Sequence, residues 1–129
     1  MFKSGILNPQ INSLLSRVRH TNTLVIADRG FPFWPMIDTI HISLVDGIPS
    51  VLDVLRAIRA ESVFGRAWMA QEFLTNNTDE VRQMFAQGLS GIPLLHEPHV
   101  DFKKRVPLAI GLIRTSDTVQ YANMVLESA

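Results

Sequence analysis

Thr23-Leu-Val-Ile-Ala27, halted by Asp28-Arg-Gly30, decides how the rest of the chain is read. The apolar residues follow one another without the polar alternation of a half-exposed strand, and Thr23, Val25 and Ile26 are β-branched. The run therefore reads as a central strand covered on both faces. Upstream, Asn8-Pro9 opens a helix, with Asn as N-cap and Pro at the first helical position; Ile11, Leu14, Leu15 and Val18 recur at helical spacing up to an end near His20. Downstream, residues 28–38 carry Gly30, Pro32 and Pro35 among Phe31, Phe33 and Trp34, a composition that continues neither element but can build an apolar wall.

Further out, Ile37–Leu44 reads as a second strand. Ser50 caps a helix carrying Val51, Leu52, Val54, Leu55 and Ile58. Val63–Ala70 predicts a third strand, Asn77-Thr-Asp-Glu80 opens a helix that Gly88 stops, and Ile92–Leu95 is a short strand. A helical turn over His99–Lys104 leads to strands at Leu108–Arg114 and Tyr121–Leu126. This alternation predicts one three-layer α/β/α domain over residues 1–129. Its central sheet is partly mixed, mostly parallel in its first half and mixed where the last two strands are only a turn apart.

At 129 residues the chain is one domain's worth, and 47% hydrophobic against 19% charged residues is the balance of a chain that folds around a core. So few charges also predict apolar surface left for copies of itself, hence a homo-oligomer. Lys+Arg and Asp+Glu both total 12, which leaves no net charge to hold nucleic acid or an anionic membrane. The absence of cysteine excludes disulfides, thiolate zinc sites, iron–sulfur clusters and a Cys nucleophile. The longest apolar stretch, Val106–Ile113, falls far short of the ~20 residues that span a bilayer, and Met1–Gly5 leads into no signal-type region. A soluble, cytoplasmic protein is expected.

Phosphate-cradling glycine motifs, a nucleophile elbow and a His-Glu-x-x-His helix are all absent, so no nucleotide, covalent serine or cofactor is expected. His96-Glu-Pro-His99 followed by Asp101 contains metal-ligand residue types. Pro98, however, keeps one regular helix from presenting both imidazoles, and surface histidines around a turn are the preferred reading. No metal is expected. His20, at a predicted helix end, suits either a C-terminal dipole cap or a ligand-facing imidazole. Asp28, at the end of a buried strand, suits either an Asx-turn or the ligand edge of an open α/β sheet, and the two residues can face one crevice. Tyr121-Ala-Asn123, at the start of the last predicted strand, offers a hydroxyl and a carboxamide suited to a polyol, or ordinary strand-edge groups.

An ordered set of segments resembles the D-ribose pyranase and L-fucose mutarotase family, and it is closer to the pyranase branch. The set comprises Gly5-Ile-Leu-Asn8, Arg19-His20-Thr21-Asn22, Leu24-Val-Ile-Ala-Asp28 with Gly30 and Pro32, Gly47-Ile-Pro-Ser50, Glu72, His99-x-x-Phe-Lys103, Ile113-Arg-Thr115 and Tyr121-Ala-Asn123. The resemblance covers nearly the whole chain. It implies His20 as proton donor, with Asp28, His99 and the Tyr121, Ala122, Asn123 segment binding a monosaccharide. It also implies ring-shaped homo-oligomers, commonly decamers, with sites at subunit interfaces. Departures from the pyranase pattern fall at Arg29, the Phe31-Pro-Phe-Trp-Pro35 loop, Ser116-Asp117 and Gln120, all expected around the sugar pocket, so the identity of the sugar stays open.

Interconverting pyranose, open-chain and furanose forms moves one proton off the anomeric hydroxyl and another onto the ring oxygen. No cofactor is needed. An imidazole, with an unperturbed pKa near 6.5, can donate and recover that proton near neutral pH. Phe31, Phe33 or Trp34 could stack on the sugar's apolar face, or pack with the Tyr121–Asn123 strand against a neighbouring chain. The competing function is a non-catalytic sugar-binding or transport-accessory protein, which would not need His20.

Overall fold

Local capping chemistry sets the first elements of the computed structural model, which describes residues 1–129. Asn8 accepts the Ile11 N–H at 2.9 Å through its side chain and opens α1 (Pro9–Arg17), which buries Ile11 and Leu14. The helix stops three residues short of His20, because Val18 is already extended. β1 (Thr23–Ala27) follows, then β2 (Asp38–His41) and α2 (Val51–Arg59), whose Ser50 and Asp53 form a reciprocal capping box. β3 (Phe64–Ala70) runs into α3 (Gln71–Thr75), and Thr78 caps α4 (Asp79–Gly88). β4 (Leu94–Glu97), α5 (His99–Arg105), a 3-10 turn at Val106–Leu108, β5 (Gly111–Arg114) and β6 (Met124–Ser128) complete the chain.

The six strands form one sheet in the order β2-β5-β1-β6-β3-β4, and β6 alone runs antiparallel to its neighbours. The sheet is mixed, as expected, but the last two strands do not pair with each other. β5 lies parallel to β1 on one side and β6 antiparallel to it on the other. Residues 115–123 must therefore cross the end of β1 where Ala27 gives way to Asp28.

β1 is covered on both faces. Leu24 and Ile26 enter the larger core with Ile11 and Leu14 of α1, Val54, Leu55 and Ile58 of α2, and Phe85 of α4. Val25 and Ala27 enter a smaller core with Phe31, Ile37, Trp68, Phe102 and Val106. The third layer is thus thin, built from α5, the 3-10 turn and the aromatic loop. α1 lies so close to β5 that a Cβ at Gly111 would sit 2.6 Å from Leu14 Cδ1 and 3.1 Å from the Asp38 carbonyl oxygen, so only glycine fits there.

Several boundaries differ from those predicted. β2 is only Asp38–His41, because Leu44 and Val45 turn back to donate to the Ile48 carbonyl. β4 starts two residues late, since Ile92 belongs to the turn after α4 and is buried in the larger core. α3 has no counterpart in the sequence reading. The last strand starts at Met124, not Tyr121, because residues 115–123 are needed for the crossing. That crossing is anchored by the buried Asp117 carboxylate, which accepts the Val51 N–H at the start of α2 (2.9 Å) and the Val119 N–H (2.8 Å).

Candidate active site

The C-terminal end of β1, the start of α5 and the crossing segment converge on one depression. Asp28 continues β1, and its N–H donates to Asn123 Oδ1 at 2.7 Å, which ties the strand end to the crossing segment. The Asp28 carboxylate accepts the Gly30 N–H at 2.9 Å. The Asx-turn is real, and the residue lines the depression as well. Burial pushes the Asp28 carboxyl above its ordinary value, aided by Asp117 and opposed by the Gly30 and Phe31 amides and the Asn123 side chain.

His99 is the first residue of α5. Its N–H donates to both Glu72 oxygens, at 3.0 and 3.2 Å. Its ring stands edge-on to Tyr121 (centroids 5.1 Å apart) and Phe31 (6.1 Å), and stacks on Phe102 (6.0 Å). Nδ1 is buried without a partner. Burial, then Lys103, lower the His99 pKa, with Glu72 and Asp28 acting against them. Tyr121 is held in left-handed backbone at φ 55°. Asn77 fixes the same segment by donating its side-chain N–H to the Gln120 carbonyl at 2.9 Å.

Asp28, Gly30, Phe31, Pro32, His99, Gln120, Tyr121 and Asn123 line the depression, about 250 Å³ in volume. It brings together a carboxylate, an imidazole, a phenol and two carboxamides beside one aromatic wall. That set suits a small polyhydroxyl compound better than an apolar ligand. A larger groove of about 590 Å³ between α2 and α4 offers Arg56 and Arg59 but no carboxylate or imidazole. No three His, Asp or Glu side chains converge as a metal centre.

The histidines give this region a pH signature. Burial lowers the pKa of both His96 and His99, so between about pH 6.5 and their folded values the unfolded chain binds more protons than the folded one. Stability must fall as pH falls through that window. Melting temperature should drop between about pH 7 and 5, and His96→Gln with His99→Gln should flatten that slope. An unchanged slope in the double variant would mean other groups carry it.

A profile described as the RbsD / FucU transport protein family matches residues 1–129. The chain belongs to this family. It is 38% identical over 128 residues to D-ribose pyranase of Geobacillus thermodenitrificans, covering 99% of this chain and 96% of that one. It is 35% identical over 128 residues to D-ribose pyranase of Laribacter hongkongensis, covering 99% and 97%. Among solved structures, Bacillus subtilis RbsD complexed with D-ribose superposes with a TM-score of 0.92 at 29% identity, over 100% of this chain and 98% of that one. The fucose mutarotase of Streptococcus pneumoniae with L-fucose shares the fold, with a TM-score of 0.78 at 20% identity over 99% and 98%.

Within this RbsD/FucU chain, His20 does not join the depression. It is exposed on the turn Arg19–Asn22, before β1, whereas Asp28 follows β1. The strand between them spans roughly 17 Å. The expectation that His20 and Asp28 face one crevice therefore fails within a single chain, and so does the helix-cap role, since α1 ends at Arg17. The His20 turn is nonetheless fixed. Thr21 N–H donates to the Ser128 carbonyl at 3.0 Å, and Ser128 N–H returns to Asn22 at 2.9 Å.

Thr21, at φ 65°, and Tyr121 are the two non-glycine residues of the chain with left-handed backbone. Such strain persists only where surrounding bonds over-determine it. One sits beside His20 and the other in the depression.

The other candidate residues divide clearly. Asp28, His99, Tyr121 and Asn123 come together, while the Ala122 side chain is buried in the larger core and does not line the depression. Phe31 lines the depression, Trp34 packs on Phe31, and Phe33 stacks on His41 away from it. Glu72 appeared in the sequence only as part of the resemblance, and Gln120 only as a departure. Neither carries a local signal, because α3 and the crossing segment bring them to the site.

Proposed function

We propose that this chain is a cofactor-independent isomerase that interconverts ring forms of a free monosaccharide, in the manner of a D-ribose pyranase. The observation that carries the reading is the depression at the end of β1, where Asp28, His99, Gln120, Tyr121 and Asn123 present donors and acceptors to a small polyol. Relatives named D-ribose pyranase match over nearly the full chain, and the RbsD structure that superposes on it holds D-ribose. Asp28 accepts from sugar hydroxyls, His99 and Tyr121 hold the ring, and Phe31 covers its apolar face.

His20 is the acid/base group of this proposal, and it acts from a second copy of the chain. Its protonated ring gives a proton to the ring oxygen while the anomeric hydroxyl passes its own to the Asp28 carboxylate. The C–O bond of the ring opens to the aldehyde, and closure by a different hydroxyl reverses the transfers. A homo-oligomer with sites between subunits, a decamer as the resemblance implies, brings the His20 turn of one copy over the depression of the next. The exposed apolar side chains Phe33, Met36, Leu44, Val45 and Ile48 supply surface for such contacts. No helix is long and apolar enough to cross a membrane, and action on free sugar in the cytoplasm fits the proposal.

Saturation-transfer NMR on D-ribose, with L-fucose as the comparison sugar, tests it by reading exchange between ring forms directly. Faster exchange in the presence of the protein is expected for at least one sugar. Binding without faster exchange of either would instead support a sugar-binding or transport-accessory protein.

A further inference from the structure

We propose that Arg114 is a positioning residue that shapes half of the sugar pocket through the main chain of residues 28–32, an inference that rests on the pyranase reading. Arg114 ends β5 opposite Ala27 of β1, and its residue is only 8% exposed. Its side chain lies on the same face of β5 as Leu112, which belongs to the smaller core beside Phe31.

The guanidinium makes no ion pair within 4 Å. It donates to main-chain carbonyls instead: Nη1 to Asp28 (3.2 Å) and Arg29 (3.4 Å), and Nη2 to Pro32 (3.1 Å). Burying a cation without a carboxylate partner is costly. Desolvation accordingly lowers the Arg114 pKa, and the nearby Asp28 charge opposes that shift.

Those three carbonyls bracket the segment that supplies Asp28, Gly30, Phe31 and Pro32, half of the pocket lining. The loop contains Gly30 and Pro32 and no regular element, so it has no ladder of its own to hold it. A planar fork with two separated Nη groups can reach carbonyls at residues 28 and 29 on one side and residue 32 on the other. A lysine ammonium, a single point on a flexible stem, cannot span them. Arg114 is not itself among the residues that line the depression. It sets where the Asp28 carboxylate and the Phe31 ring stand, and so it acts on binding.

Arg114→Lys keeps the charge and removes the fork, which makes it the discriminating variant. Two readouts are taken on it: main-chain amide shifts and hydrogen exchange of Gly30 and Phe31, and the KM and kcat of D-ribose ring exchange. The expected result is moved, faster-exchanging loop amides, unmoved amides in α2, and a KM raised about 10-fold or more with a smaller change in kcat. A merely structural arginine would lower the melting temperature and leave the KM alone.

If Arg114→Lys does not fold, Arg114→Gln serves the same two readouts, since its shorter amide reaches one side of the loop at most. A folded variant with parental KM, or with unmoved Gly30 and Phe31 amides, would overturn the proposal. Failure of the pyranase reading is separate, because it shows as absent ring exchange in the parent. The loop amides then still decide whether Arg114 holds the loop.

Discussion

Replacing His20 with alanine is expected to lower accelerated sugar ring exchange by about 10²–10⁴-fold, the range typical of a lost general acid/base. The fold should stay intact. His20 is exposed on a turn whose bonds are made by the main chain of Thr21 and Asn22 to Ser128, so its imidazole supports nothing structural. Melting temperature should therefore change by no more than about 2 °C, as for surface substitutions away from special features. Sugar binding measured by shift perturbation at Asp28 and Tyr121 should persist. Exchange at the parental rate would remove His20 from the mechanism and favour a site complete within one chain.

Asp28→Asn carries the second large effect, and it combines a loss with a gain. Activity should fall about 100-fold or more, because the carboxylate proposed to accept from sugar hydroxyls becomes a neutral amide. Stability should move the other way at neutral pH. The Asp28 carboxyl has its pKa raised in the folded state, so the stability tied to its protonated form is present below about pH 3.8 and lost as pH rises through the folded value. Above that folded value the parent holds an ionised, partly desolvated carboxylate. Asparagine removes that charge while keeping an acceptor for the Gly30 N–H. The variant should melt at or above the parental temperature at pH 7, with the advantage vanishing in acid. A lower melting temperature at pH 7 would show the carboxylate to be a net stabiliser.

The parts of this molecule that were legible in its sequence are those governed by local rules. Thr23–Ala27 announced a two-sided strand because continuous apolar residues need cover on both faces, and Leu24 with Ile26 and Val25 with Ala27 do divide between two cores. Asn8, Ser50 and Thr78 mark helix starts because each side chain accepts a main-chain N–H three residues on.

The rest was set by long-range choices with no local trace. Nothing in residues 115–123 says that they cross the end of β1, yet that crossing moves Tyr121 out of the last strand and brings Gln120 to the pocket. Glu72 meets His99 only because α3 and α5 follow the neighbouring strands β3 and β4. His20 and Asp28 part company within one chain for a similar reason. A helix end and the ligand edge of a buried strand suggest one crevice, but the two residues stand at opposite ends of the five-residue β1.

That separation leads to the most direct test of the central claim, that His20 of one copy completes the pocket of another. The variants His20→Ala and Asp28→Asn are each dissociated, mixed in equal amounts, reassembled and assayed for ring exchange. A His20→Ala copy keeps an intact pocket and an Asp28→Asn copy keeps an intact His20. Random assembly should therefore restore both halves at about a quarter of the sites, and with them about a quarter of parental activity. Mixtures as inactive as the separate variants, in oligomers shown by mass to contain both chains, would contradict the shared site.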